Sequence, residues 1–112
     1  MNNVAYLLAD YKNQPDEALK YAQKAQELTP NDPDSADTLG WVLYRKGLYS
    51  LAAATFESAV AKPGAGTVAR YHLAMAYAKM GTRERGRAVF ETALKLDPKL
   101  PEASAARQLL AQ

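Results

Sequence analysis

A single histidine, His72, and no cysteine limit the covalent chemistry open to this 112-residue chain. A side-chain nucleophile needs a base to take its proton and a third group to orient that base. No serine stands in the context that exposes a nucleophilic hydroxyl on a tight elbow, and His72 has no partner at metal-ligand spacing. Asp16 with Glu17, and Asp34 with Asp37, pair carboxylates as acid–base sites do. Their positions suit the first turns of helices, where negative charge meets the positive end of the peptide dipoles. Pro63-Gly64-Ala65-Gly66 is glycine-rich but lacks the Lys and the Ser or Thr of a phosphate cradle. No catalytic, metal or cofactor-binding residue is therefore predicted, and the chain reads as a binding module.

Recognition chemistry is better supplied. Trp41 is the only tryptophan, tyrosines recur at Tyr11, Tyr44 and Tyr71, and Arg45 and Lys79 can make charge-assisted hydrogen bonds to carboxylates. Arg83, Arg85 and Arg87, with Arg70 and Lys79, are the residues that could grip phosphates. The three arginines fall on different faces of one helix, however, and Glu84 and Glu91 dilute them, which disfavours a nucleic-acid partner. A net charge of +2 adds no argument for one. The charge is nevertheless graded: residues 1–32 carry three Lys against five acids, 33–66 three against three, and 67–112 eight basic residues against four acidic. The longest apolar runs, Val4 to Ala9 and Leu51 to Ala54, fall far short of the roughly 20 residues that span a bilayer.

The elements that must position these groups repeat. Leu39, Gly47, Ala54, Phe56, Glu57 and Ala59 return thirty-four residues later as Leu73, Gly81, Ala88, Phe90, Glu91 and Ala93. A fixed period of this length marks a stacked array in which no unit can bury its own apolar face alone. Gly, Pro and Asn collect at 13–15, 30–33, 46–47, 63–66, 80–81 and 97–101, where helices must stop. Seven helices are predicted between them, over 2–12, 16–29, 34–46, 49–62, 68–80, 83–96 and 101–111. Asp32 or Pro33, Thr67 and Thr82 stand at N-cap or first-turn positions, and Pro15 and Pro101 suit a first turn.

The middle unit reads Ala36-x-x-Leu39-Gly40-x-x-Leu43, then Ala52-x-x-x-Phe56-x-x-Ala59. Its neighbour reads Arg70-x-x-Leu73-Ala74-x-x-Tyr77, then Gly86-x-x-x-Phe90-x-x-Ala93, closing on Pro98. Both resemble the tetratricopeptide repeat (TPR) pattern, and the first unit keeps Ala18, Ala25 and Pro30 of it. The resemblance implies an all-α, right-handed α-solenoid of stacked antiparallel helix pairs: units at 1–32, 33–66 and 67–100, and a capping helix at 101–112. The chain is expected to be a segment of a longer array. The runs from Asn2, Ala36 and Arg70 further resemble the terminal repeats of long bacterial TPR proteins, including lipoproteins of exosortase and exopolysaccharide systems, which implies scaffolding at a bacterial cell envelope.

Sizes within each unit follow a steric rule. Gly40 and Ala74 are predicted to face the rings of Phe56 and Phe90, while the first unit reverses the sizes, so Tyr6 is expected to pack over Ala22. Gly86 stands where alanine is usual, at a cost of about 0.5–1 kcal/mol in helix propensity, and close helix contact is its expected reason.

Ala36, Leu39, Gly40 and Leu43 share one helix face, so Asp34, Thr38, Trp41 and Arg45 lie opposite, with Asp37 and Tyr44 flanking. One repeat on, the same side adds Tyr71, His72, Met75 and Lys79; one repeat back it adds Asn3, Leu7, Asp10 and Tyr11. The resemblance implies that this side lines a concave groove for an extended peptide or partner helix. Trp41 is the expected anchor, with packing against neighbouring units as the competing role. The chaperone carboxylate clamp found in some TPR domains is absent, because its places hold Asn3, Leu7, Thr38, Val68 and His72. Val4, Leu8 and Leu109 on terminal helices offer a route to a homodimer.

Overall fold

The computed structural model describes residues 15–111, in which six helices are joined by short turns. They are α1 (Pro15–Leu28), α2 (Pro33–Arg45), α3 (Tyr49–Ala61), α4 (Thr67–Lys79), α5 (Arg83–Leu96) and α6 (Pro101–Leu110). Each begins and ends within one residue of its predicted bounds. The helix expected over 2–12, and with it the packing of Tyr6 on Ala22, lies outside the described residues.

Local chemistry sets these limits. The Asp32 carboxylate accepts the Asp34 N–H at 3.0 Å and so caps α2, whose first turn holds Pro33. After α2, Gly47 takes φ +82°, its N–H donates to the Tyr44 carbonyl at 2.9 Å, and the Leu48 N–H reaches the Leu43 carbonyl at 3.0 Å. Gly81, at φ +83°, closes α4 in the same way onto Ala78 and Tyr77. Both are Schellman caps, which need a left-handed residue that glycine supplies without strain. Thr82 takes the expected N-cap position of α5, but its hydroxyl donates to the Tyr77 carbonyl at 3.0 Å and makes no side-chain cap. Thr67 is the first residue of α4, behind Gly66.

Helices pack chiefly on those near them in sequence: α1 on α2, α2 on α3, α3 on α4, and α4 on α5. In addition α2 touches α4, and α6 rests on both α4 and α5. With neighbours on so many sides, α4 buries an unbroken run from Tyr71 to Tyr77.

Two glycines let helices close up. A Cβ on Gly40 would stand 2.5 Å from Phe56 Cε1, so the Phe56 ring lies on bare backbone and is fully enclosed. Enclosing such a ring is worth about 1.5–3 kcal/mol. A Cβ on Gly86 would meet Leu110 Cδ2 at 2.9 Å and the Ala74 carbonyl oxygen at 3.1 Å, which accounts for glycine at this position by close contact with α6 and α4. Among the described residues no helix is long and apolar enough to cross a membrane.

Candidate functional site

The side chains expected to line a groove gather at the junction of α2 with α4. Asp37 and His72 are both buried there, with His72 Nδ1 2.8 Å from Asp37 Oδ1. A buried carboxylate costs free energy unless it is hydrogen-bonded, and the imidazole of the next unit provides that bond. Trp41 stacks on His72, with ring centroids 4.5 Å apart, and on Tyr44 at 5.1 Å with only 8° between the planes. Tyr44 in turn meets the edge of Tyr49 at 5.3 Å, and Lys79 Nζ lies 5.9 Å from the centroid of Tyr49. Four aromatic rings and a cation therefore run continuously across two units.

Accessibility divides the expected residues. Trp41 is half-buried, and Arg45 and Lys79 are exposed. Asp37, Tyr44, His72 and Met75 are buried beneath or beside them. Tyr71 is fully enclosed, and its hydroxyl donates to the Asp97 carbonyl at 2.7 Å, tying α4 to the end of α5. The covering helices α5 and α6 explain its burial. Thr38, also on the expected groove side, is buried and donates to the Asp34 carbonyl at 2.9 Å. Asn3, Leu7, Asp10 and Tyr11 lie outside the described residues.

Burial perturbs the phenols. It pushes Tyr44 up to about 12, with Tyr49 adding and Arg45 opposing. Tyr71 is raised chiefly by burial and then by Asp97, and Tyr77 by burial and then by its bond to Glu57. These tyrosines stay neutral donors near pH 7. No group of three or more His, Cys, Asp or Glu among the described residues is placed to hold a metal ion.

Sequence reasoning overlooked two clusters. Asp37 and His72 are 35 residues apart, one repeat plus one position, which brings first helices of adjacent units face to face. That offset was the available signal. The second cluster joins three helices: the Tyr77 hydroxyl donates to Glu57 Oε2 at 2.9 Å and accepts from Arg85 Nη2 at 3.1 Å, while the Arg85 guanidinium lies 4.4 Å from the Tyr77 ring centroid.

Antiparallel helix pairs in register with a thirty-four-residue period, cemented by rings shared between units, define an α-helical repeat protein. A family model described as "Anaphase-promoting complex, cyclosome, subunit 3" matches residues 11–93, and the chain belongs to that family of tetratricopeptide-repeat sequences. It is similar to the TPR repeat-containing protein PA4667 of Pseudomonas aeruginosa, at 40% identity over 47 residues, 42% of this chain and 8% of that protein. Among solved structures it resembles YrrB, described as a TPR protein with an unusual peptide-binding site, with a TM-score of 0.79 and 25% identity over 96% of this chain and 57% of that one. The first TPR domain of human RPAP3 has the same fold, with a TM-score of 0.78 and 21% identity over 99% of this chain and 95% of that one. The chain thus spans 8% of the curated relative and 57% of YrrB.

Proposed function

We propose that the chain is a non-enzymatic scaffold that binds an extended peptide or a partner helix along the inner face of a right-handed α-solenoid. Among the described residues its units lie at 33–66 and 67–100, preceded by α1 and closed by α6. The observation that carries the reading is Trp41, half-buried and held between Tyr44 and His72. A ring locked in place before the partner arrives loses little entropy on binding, and rigid aromatics dominate many interfaces for that reason. Exposed Arg45 and Lys79, one repeat apart, add positive charge beside it and favour a partner bearing carboxylates. The peptide-binding site in the description of YrrB supports the same kind of partner.

Because Trp41 is the only tryptophan, its emission reports directly on this surface. Peptides selected against the intact chain from a displayed library are expected to shift that emission on titration, and to lose at least about tenfold in affinity for a folded Trp41→Ala, Arg45→Ala variant. Selected peptides that leave the emission unchanged and bind the variant equally well would overturn the reading.

A further inference from the structure

Two surfaces of the described helices are complementary and lie outside the groove. Between α5 and α6 lies a cavity of about 430 Å3, floored by Phe90, Leu94 and Leu110 and walled by Arg87, Arg107 and Glu91. The Arg107 guanidinium sits 5.5 Å from the Phe90 ring centroid, and Arg87 Nη2 lies 3.5 Å from the Leu110 carbonyl oxygen. Two guanidiniums against one carboxylate leave the mouth positive. Apolar surface in such a setting suits an aliphatic side chain flanked by acids.

That partner chemistry is present at the corner between α1 and α2. Leu28, at the end of α1, is 65% exposed, more than any other large apolar side chain among the described residues. Glu27, Asp32 and Asp34 surround it in sequence, against Lys24 alone. The corner is also stiff. The Thr29 hydroxyl lies 2.8 Å from the Ala25 carbonyl and 2.6 Å from the Ser35 hydroxyl, while Asp32 caps α2 and its N–H donates to the Thr29 carbonyl at 3.1 Å. A side chain presented on a fixed corner docks at little ordering cost.

We propose that the chain associates head to tail with a second copy of itself, Leu28 of one copy seating on Phe90, Leu94 and Leu110 of the next, with Glu27 and Asp34 facing Arg87 and Arg107. The assignment is independent of the groove. It is also directional. Leu96 occupies the position of Leu28 two repeats later and is 56% exposed, but Lys95 and Lys99 balance Asp97 and Glu102 around it, so it offers a positive mouth no net negative charge. Because the two faces differ, the contact is heterologous and grows into a ring or an open chain, unlike a self-complementary pair. The interface is small and charge-assisted, so it is weak and sensitive to salt.

Sedimentation velocity on the full chain, from dilute solution to about 1 mM, tests this, since a low-area contact is still substantially populated there. Growth with concentration, weakened by salt, is expected. Leu28→Asp and the double variant Arg87→Glu, Arg107→Glu should each stay monomeric with unchanged helical circular dichroism, and Leu28→Ser should weaken association by about tenfold. Mixed together, the Leu28→Asp and arginine variants retain one good face each, so they should form a one-to-one dimer and stop. Leu96→Asp should assemble normally. A chain that is monomeric throughout would overturn the proposal, as would a mixture of the two variants that fails to pair. Association that survives Leu28→Asp but is lost in Leu109→Asp would replace it with a symmetric dimer.

Discussion

Phe56 and Phe90 occupy the same position in successive units, yet Phe56 is fully enclosed and Phe90 only half-buried. Phe56 lies on Gly40 of the preceding helix, and Phe90 meets the edge of Tyr71 on the helix before it at 5.9 Å. The difference lies in their neighbours. Around Phe56, α2, α3 and α4 close a complete layer, and His72 of the following unit adds its ring at 5.4 Å. Around Phe90, α4 and α6 are the packing neighbours of α5, with Arg107 over the ring and a cavity beside it. One local sequence pattern thus produces two energetic environments, and position in the stack decides which.

Truncating the two rings should expose this difference most strongly. Phe56→Ala is expected to cost about 3–5 kcal/mol of stability, as for a fully buried ring, and Phe90→Ala about half as much, read from urea midpoints at equal slope. Equal losses would mean that the terminal layer is as tightly built as the middle one.

A smaller contrast is expected from adding one carbon. Gly40→Ala would drive a methyl to 2.5 Å from the Phe56 ring, which has no free space to retreat into, at a cost of about 1–3 kcal/mol. Gly86→Ala meets the movable end of Leu110 and the edge of a carbonyl, and its gain of about 0.5–1 kcal/mol in helix propensity offsets most of the strain. Its net change should stay within about 1 kcal/mol by the same measurement. Clear stabilisation by Gly86→Ala would show that close contact is not why glycine stands there.

Alkaline titration should give the smallest signal. Tyr44 is pushed from its ordinary 10.0 to about 12 in the fold, so above pH 10 the unfolded chain gives up a proton that the folded chain keeps. Its contribution is therefore complete below pH 10 and is lost as pH climbs towards 12. Tyr44→Phe should flatten part of that decline at the middle junction, leaving the share due to Tyr71 and Tyr77. An identical alkaline profile would remove Tyr44 from the linkage.

The helices were legible because their signals are local or strictly periodic: Pro and Gly at the ends, and apolar residues returning every thirty-four positions. Gly40 against Phe56 was legible for the same reason, being a size rule within one unit. Burial of Tyr71 was not, because period alone puts it on the groove side while α5 and α6 determine how deeply it is covered. Nor was the Asp37–His72 contact, since a lone histidine shows no partner until two first helices are laid side by side with a one-residue offset. Thr82 has the right residue type for a cap, yet its hydroxyl has a competing acceptor one turn back, at Tyr77.

Packing mainly between helices close in sequence also has a mechanical meaning. Under a pull, the described helices at the edges of the stack should peel away before the layer holding Phe56, which should let go last. Such a stack yields in steps, and its centre can hold its shape while its edges are already loose.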